Sequence, residues 1–94
     1  MKIKWLETAL SNFEQAAEYL HEQNPQSARA FAKEVHESIS LLKSNPAMGR
    51  PGRVMGTKEL VLKKYPYLIP YRVKNNQIEI LRVFPTRMEL PECW

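Results

Sequence analysis

The side chains of this 94-residue protein that could do chemistry are mostly cationic or aromatic, and they lie in its second half. Such side chains can neutralise phosphates and stack on bases. An arginine could also stabilise the charged transition state of phosphodiester cleavage without a metal ion. We predict that five cationic residues bind the macromolecular target, namely Lys63, Lys64, Arg72, Arg82 and Arg87. Arg82 and Arg87 are also the candidate catalytic residues.

Groups that transfer protons near neutral pH are scarce in this basic half, because both histidines, His21 and His36, precede it. The histidines and Cys93 are the only soft metal ligands, and their spacing matches no metal motif. The glycine-rich stretch "GRPGRVMG" does not lead from a strand into a helix, so it is a poor phosphate cradle. We therefore predict neither a metal nor another cofactor. Arg72 has a structural alternative, which is a cross-strand ion pair with Glu79.

The formal charge of +4 is distributed unevenly, with most acidic residues between positions 6 and 39 and most basic ones between 43 and 87. The basic half favours an acidic partner, such as nucleic acid, a ribonucleoprotein or an acidic protein, although many soluble proteins are mildly basic. A lone cysteine cannot form an internal disulfide, which indicates a reducing, cytoplasmic location. No apolar run approaches the ~20 residues that span a membrane.

The first half predicts a short strand followed by two helices. "KIKW" alternates like a strand, and apolar residues then recur at helical spacing after a cap at Thr8 or Ser11. Asn24 as cap and Pro25 as first helical residue begin a second helix almost at once. So short a link makes the two helices an antiparallel hairpin. Residues 45–57 hold all three glycines and are predicted to form a loop.

Three further strands are predicted at about 58–64, 67–73 and 77–84, and Asn75-Asn76 supplies a hairpin turn. Pro70 has no N–H to donate, so we expect a bulge or a missing bond there. Arg82 falls on the helix-packed face unless that bulge intervenes. The predicted helix-packed residues are Ile69, Tyr71, Val73, Ile78, Ile80 and Phe84. The chain is thus a single α+β domain over residues 1–94, in the order β-α-α-β-β-β, with an antiparallel sheet packed against an N-terminal helical hairpin.

With this element order, several motifs together resemble the RelE/ParE superfamily of type II toxin–antitoxin toxins, in its ParE/StbE-like branch. These motifs are "NPQSARAFAKEV", "NPAMGRPGRVMGTKELV", "YPYLIPYRV", and "IEILRVF" followed by "TR" and "LP". The resemblance spans essentially the whole chain. It implies a growth-inhibiting toxin that forms an oligomer with a cognate antitoxin from a neighbouring gene, whose C-terminal segment wraps the helical hairpin and sheet. The candidate antitoxin-binding residues are Phe13, Leu20, Phe31, Val35 and Tyr71.

The resemblance leaves the target open between mRNA, cut in the ribosome's decoding site, and DNA gyrase, inhibited without cleavage. Ribosome-dependent relatives often carry an arginine in the third-strand run that is Leu68-Ile69-Pro70-Tyr71 here, and many relatives have histidine where this chain has Pro85. Both departures favour gyrase. A metal-independent mRNA endoribonuclease is the alternative, as is a detoxified relative that only binds antitoxin.

Overall fold

The structure is a computed structural model that describes residues 1–86. Two helices follow a first strand and precede the other strands, so the predicted α+β class and element order are confirmed. Arg87 lies outside the described residues, and the single domain over residues 1–94 stays a prediction. The elements are β1 (Lys2–Trp5), α1 (Glu7–Gln23), α2 (Pro25–Ser44), β2 (Arg50–Pro51), β3 (Lys58–Val61), β4 (Tyr67–Lys74), β5 (Gln77–Ile80) and β6 (Phe84–Pro85).

The start of α1 is determined by the sheet and not by a side-chain cap. Leu6 occupies the N-cap position, and its backbone N–H donates to the carbonyl oxygen of Ile80 at 3.1 Å. The predicted caps at Thr8 and Ser11 are therefore wrong, because the chain passes from β1 straight into the helix. The start of α2 is as predicted: Asn24 Oδ1 accepts the N–H of Gln26 at 2.9 Å, and a proline follows the cap.

Phe31 of α2 is fully buried among aromatic rings in the core between the helical hairpin and the sheet. Its ring stacks on Phe13 of α1 at a centroid distance of 5.6 Å, and it meets Tyr65 and Tyr67 at 5.7 and 5.1 Å. Trp5 of β1 packs edge-on against Phe13. This aromatic cluster joins both helices to β1 and to the start of β4.

The sheet is mixed, with strand order β1-β5-β4-β3-β2 and with β6 paired to β4. The fully antiparallel sheet that we expected is modified at one edge, where β1 lies parallel to β5. In this register Ile3 lies beside Ile78 and Trp5 beside Ile80. All four side chains thereby extend the apolar face that packs against the helices, which is the physical reason for the edge position of β1.

The β4–β5 hairpin has the predicted turn and register. Asn75 and Asn76 adopt φ values of 52° and 62°, a conformation that asparagine tolerates better than most residues. Arg72 lies opposite Glu79, as predicted. Val73 was expected in the core, yet its side chain is 44% exposed. Its cross-strand partner Ile78 is fully buried, so at this level the core covers β5 and leaves the side chain of β4 exposed.

The last predicted strand, 77–84, is interrupted after Ile80. The N–H of Leu81 still donates to the carbonyl oxygen of Pro70 at 2.9 Å, but Pro70 has no N–H to return. Residues 81–83 are not in a strand, and β6 resumes pairing with β4 with one extra residue on its own side. The bulge expected at Pro70 is therefore present.

Beyond this extra residue, each side chain points to the opposite face of the sheet from the one predicted. Val83 joins the core, while Arg82 is half-buried next to it in sequence. Phe84 lies opposite Leu68, which is buried outside the main core cluster. The prediction that Phe84 shares the helix-packed face is wrong, because a one-residue shift moves every later side chain to the opposite face.

The hydroxyl of buried Tyr71 anchors the chain that follows α2. It donates to the carbonyl oxygen of Pro46 at 2.8 Å and accepts the N–H of Gly49 at 2.9 Å. Burial raises the pKa of the Tyr71 hydroxyl, and the bond from Gly49 opposes this shift. A Cβ on Gly49 would lie only 2.7 Å from the Tyr71 ring, so glycine is required at this close approach.

We expect Tyr71→Phe to lower the free energy of unfolding by about 1–3 kcal/mol, because two backbone groups would lose their partner. Urea denaturation provides the measurement. Tyr19→Phe is the matched control, since Tyr19 is 58% exposed, and we expect it to change stability by less than about 0.5 kcal/mol. Equal effects of the two substitutions would show that the buried hydroxyl does not anchor the chain.

Candidate functional site

Charged side chains cross the sheet face that lies away from the helices. Lys4 of β1 lies opposite Glu79 of β5, which in turn lies opposite Arg72 of β4. Arg72 Nε donates to Glu79 Oε1 at 2.5 Å. This hydrogen bond lowers the pKa of Glu79, and the positive charges of Arg72, Lys4 and Lys74 act in the same direction, while burial opposes them. Arg72 is thus held in the cross-strand pair that the sequence offered as its structural role.

A second carboxylate, Glu59 of β3, organises the adjoining segment and was not singled out from the sequence. Its side chain is only 3% exposed. Oε1 accepts from Arg50 Nε at 3.1 Å, and Oε2 accepts the backbone N–H of Arg53 at 3.0 Å. A buried carboxylate needs such partners. The sequence signal was an isolated acidic residue within a basic stretch.

The β2–β3 loop, residues 52–57, is closed by its own hydrogen bonds. Gly52 N–H donates to the Thr57 carbonyl oxygen at 2.8 Å, and Thr57 N–H donates to the Val54 carbonyl oxygen at 3.1 Å. Gly56 has a φ of 82°, which favours glycine. Met55 stands at the tip with 97% of its surface exposed. A cleft of about 380 Å³ separates this loop from Leu6, Thr8, Arg72 and Leu81.

The two candidate lysines lie elsewhere, at the turn after β3. The N–H groups of Lys63 and Lys64 both donate to Glu34 Oε2, at 2.9 and 3.2 Å, which ties this turn to α2. The N–H of Thr86 donates to the Pro66 carbonyl oxygen at 2.8 Å, so the chain leaving β6 passes beside the same turn. Arg72 is five residues along β4 from Tyr67, or roughly 17 Å. The structure therefore does not bring Arg72 together with the lysines.

A groove of about 720 Å³ lies between α2 and β3. Leu41, Met48 and Val61 line it and are exposed, and lysines border it. Strand β2 pairs only with the first half of β3, at Lys58 and Glu59. Among the described strands, none pairs with the outer edge of β3 beyond that point. The groove thus combines apolar side chains with an open strand edge.

The side chains predicted to bind the antitoxin belong mainly to the core. Phe31, Val35 and Tyr71 are buried and have almost no surface that a partner could contact. Phe13 and Leu20 are half-buried and pack against the same core. The apolar stripe read from the sequence is therefore the packing face of the hairpin, and the exposed groove residues lie outside it.

Acid–base groups are poorly placed on the described part of the sheet. Both histidines are exposed on the helices. Burial raises the pKa of Tyr67 and of Tyr71, so these hydroxyls, which are protonated at neutral pH in any case, are still weaker acids here. Within residues 1–86, no three potential metal-binding side chains come together. No helix in that range is long and apolar enough to cross a membrane.

This small α+β fold, with its helical hairpin on a mixed sheet and a basic opposite face, is that of the toxins of type II toxin–antitoxin modules. Residues 3–90 match the model of the family described as "ParE toxin of type II toxin-antitoxin system, parDE". The chain belongs to this family of ParE toxins, which confirms the resemblance recognised in its sequence.

Two similar proteins agree with this assignment. The chain is 34% identical over 91 residues to "Putative toxin Y4kP" of Sinorhizobium fredii (strain NBRC 101917 / NGR234), covering 97% of this chain and 94% of that protein. Its fold is similar to a solved chain described as "Chromosomal ParDE TA system from P. aeruginosa", with a TM-score of 0.81 and 29% identity. That similarity covers 93% of this chain and 97% of the other.

The Arg72–Glu79 pair gives a pH-dependent prediction. The pKa of folded Glu79 lies below its ordinary value of 4.5, so the pair stabilises the fold at neutral pH. This contribution is lost as the pH falls below about 4.5 towards the folded-state pKa. We expect Glu79→Gln to lower the melting temperature at about pH 7, with a smaller difference from the parent at about pH 3.

Glu37→Gln is the matched control, because Glu37 faces Lys33 across an exposed pair at 3.9 Å. Such exposed pairs contribute little, so we expect a small effect at either pH. A Glu79→Gln effect that does not shrink on acidification would contradict the role given to the ion pair.

Proposed function

We propose that this ParE-family chain arrests growth by inhibiting DNA gyrase in the cytoplasm, and that a cognate antitoxin from a neighbouring gene neutralises it. Family membership supports the toxin role, and relatives named for ParDE systems support an antitoxin partner. One observation favours gyrase over mRNA cleavage. The described sheet face carries arginines held by carboxylates, without a group suited to proton transfer near neutral pH.

In this proposal the cations bind the target and do not catalyse. Arg72, Arg82 and Arg87 hold acidic groups of the target, and Lys63 and Lys64 add electrostatic attraction. Ion pairs through Nε fix the side chains of Arg50 and Arg72 before a partner arrives. Side chains that are fixed beforehand lose less conformational entropy on binding, which suits a binding role. Pro85 is paired in β6 and supplies no side-chain acid or base, which agrees with binding without cleavage.

Ribosome-dependent mRNA cleavage is the second candidate, and one observation favours it. The exposed lysine turn lies beside the chain that leaves β6, so phosphates could bind where Lys63, Lys64 and Thr86 come together. A detoxified, antitoxin-binding relative is the third candidate, supported by Pro85, which stands where many members of the resembled branch carry histidine.

For the antitoxin we propose the groove between α2 and β3. Leu41, Met48 and Val61 offer apolar surface, and the open edge of β3 offers backbone groups to an added strand. Lys33, Lys63 and Lys64 border the groove and favour acidic residues in the bound segment. An extended antitoxin segment with apolar residues on one face and acidic residues on its flanks fits these features.

Two assays on the purified toxin separate the candidate targets. We expect it to inhibit DNA supercoiling by gyrase and to leave transcripts intact in a translation mixture, because the described surface lacks a proton-transfer group. Addition of the antitoxin should restore supercoiling. Transcript cleavage with unaffected supercoiling would establish the ribosomal target, and neither effect would establish a detoxified relative.

The groove is tested by a matched pair of substitutions on the strands. Val61 in the groove and Val73 near the hairpin turn are 43% and 44% exposed. We expect Val61→Lys to weaken antitoxin binding by about 1–3 kcal/mol, because it places a charge among apolar contacts. Val73→Lys should change antitoxin binding by less than about 0.5 kcal/mol. Calorimetric titration measures both, and similar losses would argue against the groove.

A further inference from the structure

We propose that the β2–β3 loop is a preformed docking element that places Met55 in an apolar pocket on an acidic surface of the toxin's target protein. The inference rests on the proposed function in one respect, namely that the target is a protein. It adds a site distinct from the antitoxin groove and from the lysine turn.

The first observation is the position of Met55. Its side chain is 97% exposed, the largest exposure among the described large hydrophobic residues. Val54 and Gly56 beside it line the cleft whose other wall includes Leu81 and Arg72. Burial of the flexible thioether on a partner would remove apolar surface from water, and methionine adapts readily to such pockets.

The second observation is that the loop is already ordered by its own contacts. Thr57 Oγ1 and Thr57 N–H both donate to the Val54 carbonyl oxygen, which closes the turn under Met55. A Cβ on Gly52 would lie 2.2 Å from Thr57 Oγ1, so the loop closes too tightly for a larger residue. Buried Glu59 holds the loop's Arg53 N–H from the sheet side. Because the loop is ordered beforehand, docking loses little conformational entropy.

The third observation is the charge around the tip. Arg53 is exposed within the loop, and Arg50 and Arg72 lie on either side with their guanidinium groups held through Nε. Because Glu59 and Glu79 offset the charges of Arg50 and Arg72, the net positive charge beside the tip is that of Arg53, and it favours negative charge on the partner next to an apolar centre. Arginine and methionine are both enriched in protein interfaces, whereas a nucleic acid offers phosphates and flat bases that suit cations and aromatic rings. The surface therefore fits an acidic protein better than a nucleic acid.

The experiment compares Met55→Gln with Met48→Gln, which is the same substitution at an exposed methionine of the antitoxin groove. Host DNA gyrase holoenzyme without DNA is the probe for the target. We expect Met55→Gln to raise the Kd for gyrase about 10-fold and to leave antitoxin binding and melting temperature unchanged. Met48→Gln should weaken antitoxin binding and leave the Kd for gyrase within about twofold.

Gyrase binding by Met55→Gln that equals the parent's would overturn the proposal. If the parent chain does not bind gyrase, gyrase is not the target. A growth-arrest assay then tests whether the loop docks on another target protein. Met55→Gln that arrests growth like the parent at equal abundance overturns the docking role, and lost arrest with retained antitoxin binding supports it.

A third variant, Arg53→Gln, tests whether the loop binds nucleic acid instead of protein, with a labelled single-stranded oligonucleotide as the probe. We expect no binding of the oligonucleotide that depends on Arg53. We expect Arg53→Gln to bind gyrase more weakly than the parent at low salt, and the difference to shrink as salt rises and screens the Arg53 charge. Oligonucleotide binding that requires Arg53 and not Met55 would assign the loop to nucleic acid and overturn the protein-docking proposal.

Discussion

The two hydrogen bonds of the buried Tyr71 hydroxyl fix the segment between α2 and β2, and the groove beside α2 and the β2–β3 loop both depend on the position of this segment. They hold Pro46, two residues after α2 ends, and Gly49, directly before β2 begins, against the sheet. Met48 lies between these two anchors and lines the groove beside α2. The chain then runs into β2, and Glu59 holds the following loop from the next strand. One core side chain therefore positions segments that belong to two different surfaces.

Within residues 1–86, the arginines of the sheet and the lysines of the turn after β3 form separate surfaces. Ion pairs hold Arg50 and Arg72 on the sheet, whereas Lys63 and Lys64 lie at a turn bound to Glu34 of α2. Under the proposed function, the antitoxin and the target would bind at different surfaces of the toxin. The antitoxin would then neutralise the toxin either by covering part of the target-binding surface or by blocking the approach of a large target.

Most of the local structure could be predicted from the sequence, because it depends on residues that are close together along the chain. Asn24 and Pro25 start α2 through a cap bond within two residues. The asparagine turn sets the β4–β5 register, and that register alone places Arg72 opposite Glu79. A proline without an N–H foretold the bulge beside Pro70. The family resemblance was also readable, since its motifs are themselves local stretches of sequence.

Only the tertiary structure decided the features that depend on distant residues. The start of α1 follows a hydrogen bond between Leu6 and Ile80, and no helix cap in the sequence encodes it. The sequence by itself determined that Phe31 and its neighbours form an apolar stripe, whereas the tertiary structure decided that this stripe packs in the core against the sheet. Apolar periodicity is the same whether a helix packs on its own sheet or on a partner. Which surfaces remain exposed follows from long-range packing, and that packing leaves Met55 in solvent.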